Sequence, residues 1–258
     1  MHRVRESLSL LRSVCWMIPM LVGITSVMGF LSLLSSLFDS TGRLQHRVAS
    51  NWGRMLMAVF MVKVRLTGAE NLASDRAYVF ASNHFSLIDT PLMFGFMPRP
   101  FRILARSGLW KIPFIGWHLN RAGHLPVHRE NPRLAVRNIA FAAEKVRGGR
   151  SILVFPEGGR RRGMSMRKLK TGAAHIAIQS GASLVPVAIS GTAHVLPPGS
   201  LHLRPGRVDV RFGRPLRTGS SVPWTARDLT DRLRREIEQL ASAQPSRDGE
   251  NRESEATR

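Results

Sequence analysis

The chain has one cysteine, Cys15, in 258 residues. No internal disulfide is open to it, so a packed core has to hold the fold, as in a catalytic domain of a reducing compartment. It also has one tyrosine and only 7% aromatic residues. That is too few for the stacking platforms of RNA- and single-strand-binding modules, and no such signature is present, so nucleic acid is not expected as a partner. Acids are scarce where bases are dense. Residues 90–208 carry 19 Lys and Arg against Glu130, Glu144 and Glu157 alone. A formal charge of +21 calls for an anionic counterpart, either a phosphate-bearing substrate or an anionic membrane surface.

Charge of either sign is missing from residues 13–38, a run of 26. A membrane span needs ~20 apolar residues, and a secretory signal core has only ~7–15, so the run reads as a retained membrane anchor. Pro19, Gly23 and Gly29 could instead break it into a re-entrant or interfacial element. Bases flank both ends (Arg3, Arg5 and Arg12; Arg43 and Arg47), so the charge pattern leaves its orientation open. Val48, Trp52, Met55, Val59 and Val62 recur at steps of three or four and predict an amphipathic helix over 45–62, lying on the membrane or on the domain. Residues 1–62 are therefore expected to be N-terminal anchoring helices.

From residue 63 the periodicity alternates. Strand patterns at 63–68, 77–82, 101–105, 125–128, 151–155, 184–189 and 207–212 are interleaved with helical ones at about 88–96, 131–147, 170–180 and 225–240. This predicts an α/β domain over 63–241, with a mixed, largely parallel sheet flanked by helices. Residues 242–258 have no periodic apolar positions and are expected to be a disordered tail.

Two motifs carry chemistry. Asn83-His84-Phe85-Ser86-Leu87-Ile88-Asp89 follows a strand and sets a histidine and an aspartate five positions apart. On one continuous helix they would lie ~140° apart. They can meet if His84 closes the loop and Asp89 lies in the first helical turn, with Ser86 as N-cap and Asp89 completing a capping box. Asp89 would then hold one imidazole nitrogen while the other takes a proton from a hydroxyl. Phe155-Pro156-Glu157-Gly158 ends the apolar run 151–155 and presents Glu157 at the carboxyl end of a strand, where α/β sheets bind ligands. Arg160-Arg161-Arg162 follows at once, and guanidinium groups suit phosphate. Arg121, in Gly116-Trp117-His118-Leu119-Asn120-Arg121, is a further phosphate-ligand candidate. No His or Cys spacing completes a metal site, and His118, His124 and His128 are irregularly placed and read as incidental.

The pairing of Asn-His-x4-Asp with Phe-Pro-Glu-Gly resembles the glycerolipid acyltransferase family, in particular its bacterial 1-acyl-sn-glycerol-3-phosphate acyltransferases, over roughly residues 60–215. Gly116–Arg121, Val185-Pro186-Val187 and 168–172 resemble further blocks of that family. The resemblance implies that His84 is the general base and Asp89 its partner. It further implies that Glu157, Gly158, Arg160 and Lys170 bind the acceptor, with Arg121 assisting. It implies no metal, no cofactor and no covalent acyl-enzyme. The donor would be a thioester on coenzyme A or acyl carrier protein, the acceptor a lysophospholipid, and the place the inner membrane, with the catalytic domain on its cytoplasmic face. Two departures bear on the acceptor: Gly159 stands where the family usually has threonine, and 105–109 replaces a typically Lys/Glu-bearing stretch. The alternative is acylation of another lyso-lipid, such as a lyso-ornithine lipid. A non-catalytic basic membrane-surface or nucleic-acid-binding protein is the third reading.

Overall fold

The computed structural model describes residues 7, 9–39, 41–73, 76–127, 132–159, 165–219 and 223–243. Seven strands form one sheet: β1 (Val62–Thr67), β2 (Val79–Ser82), β3 (Phe101–Arg106), β4 (Leu125–Val127), β5 (Ser151–Val154), β6 (Leu184–Ser190) and β7 (Gly206–Phe212). Their order is β1-β7-β6-β2-β5-β3-β4. β6 and β7 pair antiparallel and every other pair is parallel, as expected of a mixed, largely parallel sheet. β1, the strand expected at 63–68, lies at one edge of the sheet.

Alternation along each strand separates two cores. Phe80, Leu153, Val185 and Val187 face a layer made by α1 (Ser9–Ser35), α2 (Arg43–Val59) and α3 (Asp89–Phe96). Val79, Ala81, Ile152 and Ala188 face α5 (Pro132–Arg147), α6 (Gly172–Ser180) and α7 (Ala226–Ser242) on the other side. A short helix, α4 (Ile115–Arg121), packs against α1. Thr225 caps α7 by accepting the Asp228 N–H at 3.1 Å, a contact worth ~1 kcal/mol.

α1 is one continuous helix with a π-helical turn at Ser13–Met17, and Pro19 falls just after that turn. Proline is tolerated there because it opens a new α-helical stretch, so it does not break the element. Ser13, Met17, Ile24 and Ser32 are buried, at steps that keep them on one face. That face is fastened along its length. The Ser13 hydroxyl donates to the Leu203 carbonyl at 2.9 Å, Trp52 Nε1 donates to Thr25 Oγ1 at 3.1 Å, and Ser32 Oγ pairs with His118 Nδ1 at 2.6 Å. Met17 and Ile24 share a core with Phe80 and Val187, so the boundary drawn at residue 62 is not a change of core.

α2 ends three residues earlier than its apolar spacing suggests. Met61 takes φ 54° and turns the chain into β1, which claims Val62. α2 crosses α3 where Gly53 meets Gly95: a Cβ on Gly53 would lie 2.2 Å from the Pro91 carbonyl oxygen. Helix α7 runs to Ser242, into the segment read as tail, and residues 244–258 lie outside those described.

Candidate active site

Register brings the two motifs together. In the β2–β5 pair Ala81 lies beside Val154, so three residues further along each chain His84 and Glu157 stand at the same level, beyond the carboxyl ends of neighbouring parallel strands. Asn83 fixes the end of β2. Its side-chain amide donates to the Ile189 carbonyl at 2.8 Å and its side-chain oxygen accepts the Ile189 N–H at 2.7 Å, extending the ladder onto β6.

Asp89 is fully buried at the start of α3. Its Oδ2 collects His84 Nδ1 at 2.9 Å, the Phe85 N–H at 2.7 Å and the Ser86 N–H at 2.8 Å. The Ser86 bond is one half of the expected capping box. The other half is replaced, because the helix begins at Asp89 and the Ser86 hydroxyl donates to the Leu196 carbonyl at 2.7 Å. With Asp89 accepting at Nδ1, the imidazole proton is fixed on that nitrogen. Nε2 has no partner among the described residues. Phe155 stacks on the ring, 4.2 Å between centroids and 20° between planes, and the side chain is 14% exposed.

Glu157 is only 4% exposed. Its two oxygens each accept a backbone N–H at 2.8 Å, one from His84 and one from Arg167. Burial pushes its carboxyl above the usual carboxylate range, and the two N–H donors oppose that rise. The carboxylate thus ties the His84 loop to the segment that follows the glutamate turn. Gly158 allows that turn by adopting φ 69°, and a Cβ there would crowd Lys170 Cε at 3.1 Å. The Lys170 N–H closes the loop on the Pro156 carbonyl at 2.9 Å.

An apolar cavity of about 790 Å³ opens beside His84 and runs between α1, α2 and α3, with Leu21, Met28, Trp52, Leu56 and Phe94 in its wall. Ligand pockets are roughly 300–1,000 Å³. Arg106 and Arg167 line it on the His84 side together with Gly158 and Gly159. Neither arginine was singled out from the sequence. Arg106 falls in the stretch that departs from the family pattern, and Arg167 lies just ahead of 168–172. Lys170 is exposed over Gly158, whereas Arg121 is exposed at the end of α4 and does not line the cavity. Arg160 lies outside the described residues.

Three histidines group beside the cavity, His118 in its wall and the other two behind Phe94. His46, His118 and His124 surround Phe94, with ring centroids 5.5–6.4 Å from it. Burial pushes His46 and His118 down to about 4, aided by the charge of Arg102, and pushes His124 well below the usual imidazole range. Nδ1 of His124 accepts the Ile103 N–H at 3.0 Å, which fixes a neutral ring. No metal-holding group forms among the described residues. These are packing groups: His118 Nδ1 pairs with Ser32 Oγ and His124 Nδ1 with the Ile103 N–H, while His46 packs edge-on against Phe101. His118 and His124, read from sequence as incidental, are brought together only by the tertiary fold; His128 lies outside the described residues.

Residues 63–190 match the family described as Acyltransferase. The chain is 32% identical over 183 residues to the chloroplastic 1-acyl-sn-glycerol-3-phosphate acyltransferase of Arabidopsis thaliana, covering 70% of this chain and 51% of that one. It is 36% identical over 132 residues to the 1-acyl-sn-glycerol-3-phosphate acyltransferase of Borreliella burgdorferi, covering 51% and 52%. The chain thus spans about half the length of these curated relatives. The crystal structure of the 1-acyl-sn-glycerophosphate acyltransferase of Thermotoga maritima superposes with a TM-score of 0.73 at 25% identity, over 94% of this chain and 100% of that one.

Proposed function

Because the chain belongs to the acyltransferase family, we propose that it moves a fatty acyl group from a thioester donor to the free hydroxyl of 1-acyl-glycerol-3-phosphate, giving phosphatidic acid. The observation that carries this reading is the His84–Asp89 pair at 2.9 Å, its Nε2 unpartnered among the described residues, on the wall of an apolar cavity. In the reaction Nε2 takes the proton of the acceptor hydroxyl as its oxygen attacks the thioester carbon. The tetrahedral intermediate then expels the thiolate, which recovers the proton from the imidazolium. Asp89 stabilises that imidazolium and keeps the ring in the productive tautomer. The acceptor oxygen attacks the donor thioester directly, so no acyl-enzyme forms.

The donor's acyl chain occupies the cavity, and its carrier is coenzyme A or acyl carrier protein. Arg106, Arg167 and Lys170, with Arg160, receive the acceptor phosphate, where guanidinium groups favour a bidentate grip. Glu157 acts as a positioning residue in this reading, because both its oxygens are occupied by backbone N–H groups.

The apolar outer face of α1, which includes Val22, Val27, Phe30 and Leu34, lies in one leaflet. Its inner face stays on the domain, and the cavity mouth sits at the lipid surface. In a bacterial cell that is the cytoplasmic face of the inner membrane, where acyl thioesters are held.

Thiol release from acyl-CoA, followed with a panel of lyso-lipids, tests the assignment. The phosphate-bearing acceptor is expected to turn over fastest. Faster turnover of a phosphate-free acceptor such as a lyso-ornithine lipid would replace the acceptor while leaving the chemistry.

A further inference from the structure

A second depression, of about 480 Å³, lies at the opposite end of the sheet from His84, against the amino ends of β2 and β6. The Leu184–Leu216 bridge brings the chain after β7 back along β6, setting Arg214 and Arg217 on one side of it. The segment that enters β2 supplies Arg76 and Tyr78 on the other, with Asn71 and Ser183 between.

The lining is lopsided chemically. It holds three guanidinium groups, two hydroxyls and an amide, and no carboxylate. None of Arg76, Arg214 and Arg217 has a side-chain hydrogen bond or ion pair among the described residues. Tyr78 is 3% exposed and its hydroxyl accepts the Ala73 N–H at 2.9 Å. The same hydroxyl keeps its own proton without an acceptor among the described residues. A buried phenol with an unused donor and three arginines without side-chain partners among the described residues line one depression, a set of donors lacking its acceptor.

We propose that this depression binds a phosphate-bearing anion, held by Arg76, Arg214 and Arg217 with the Tyr78 hydroxyl as a further donor, at a site separate from the acyl-transfer centre. The guanidinium fork matches phosphate oxygens in pairs. Three positive charges suit a diphosphate, or the phosphate of a nucleotide or lipid headgroup, better than a monovalent ion.

The test uses the full chain in detergent micelles, titrated with inorganic pyrophosphate by calorimetry at fixed ionic strength. Saturable binding is expected, weakened more than tenfold in the Arg214→Gln/Arg217→Gln double variant. Thioester turnover at saturating substrate should be unchanged, since neither residue is near His84. Tyr78→Phe keeps the ring and should weaken binding by a smaller factor. Arg227→Gln/Arg235→Gln on α7 removes the same charge elsewhere and should leave the affinity as it was. An equal loss in that control, or no saturable binding in the wild type, would overturn the site. The source of the phosphate is read from flotation with phosphatidylcholine vesicles doped with phosphatidic acid. If the Arg214/Arg217 variant floats less well than wild type the phosphate belongs to a lipid headgroup, and if flotation is unchanged while pyrophosphate binding is lost it belongs to a soluble anion.

Discussion

Asp89 shows how much one buried carboxylate can organise. It fixes the imidazole, gathers two loop N–H groups and starts α3. Removing the proposed base is the cleaner cut. His84→Ala is expected to lower kcat by ~10²–10⁴-fold, the usual contribution of a positioned base, with folding retained. Steady-state thiol release checks this, and near-normal turnover would discard His84 as the base. Asp89→Asn should also impair turnover, and the double variant should be far less impaired than the product of the two, because the pair acts as a unit. Glu157→Gln sets an amide N–H₂ against one of two backbone donors. It should lower kcat and loosen the His84 loop rather than act on acceptor affinity alone. A rise in acceptor KM at constant kcat would instead make Glu157 a direct acceptor ligand. The two motifs were legible from residue types and spacing, as was the strand that leads into each. That the glutamate carboxylate is already bonded to the His84 backbone was not, because it depends on strand register, which spacing along one chain does not encode.

At the scale of elements, the α2–α3 crossing decides whether Asp89 is in place. Gly53 and Gly95 let the backbones touch, and a methyl at Gly53 has backbone rather than a flexible side chain in its way. Gly53→Ala is expected to cost about 1–3 kcal/mol, seen as a lower midpoint in urea denaturation, with turnover falling as α3 shifts. An unchanged midpoint would mean that the helices separate at little cost. Most strands and helices could be read from periodicity to within two residues. The end of α2 could not, since Val59 and Val62 continue a helical spacing that the Met61 turn interrupts. The histidine group escaped for a similar reason. His46, His118 and His124 come from α2, α4 and the segment before β4, and only tertiary packing makes them neighbours. Their neutrality has a consequence for pH. Imidazoles held near 4 when folded and near 6.5 when unfolded bind fewer protons in the folded state between those values. Stability should therefore rise with pH across that window and be lost as pH falls through it. Thermal midpoints from pH 7 to pH 4 are expected to decline, and His118→Asn should flatten the decline. A midpoint independent of pH would show that the rings are solvated.

For the whole molecule, the question is how a polar α/β domain and a 27-residue apolar helix share one chain. The uncharged run reads as an anchor, and its length alone leaves spanning and lying flat equally open. The fastenings of α1 at Ser13, Thr25 and Ser32 favour lying flat, because a helix committed to crossing the bilayer could not also wall the cavity beside His84. It follows that deleting the helix is a poor test of anchoring, since Met17 and Ile24 would leave the core with it. The outer face offers a better one. Phe30 and Leu34 are exposed, at 54% and 40%, so Phe30→Glu/Leu34→Glu leaves the packed face intact. Each exchange should cost about 2 kcal/mol or more of insertion, over tenfold in the vesicle partition coefficient. The thermal midpoint in detergent should stay near wild type, which separates lost anchoring from lost folding. High salt should weaken wild-type binding without abolishing it, because the net charge of +21 adds a screened attraction to an unscreened insertion. Should salt alone strip the wild type from vesicles, or the double variant bind as tightly, α1 would be a wall of the cavity and not the membrane anchor.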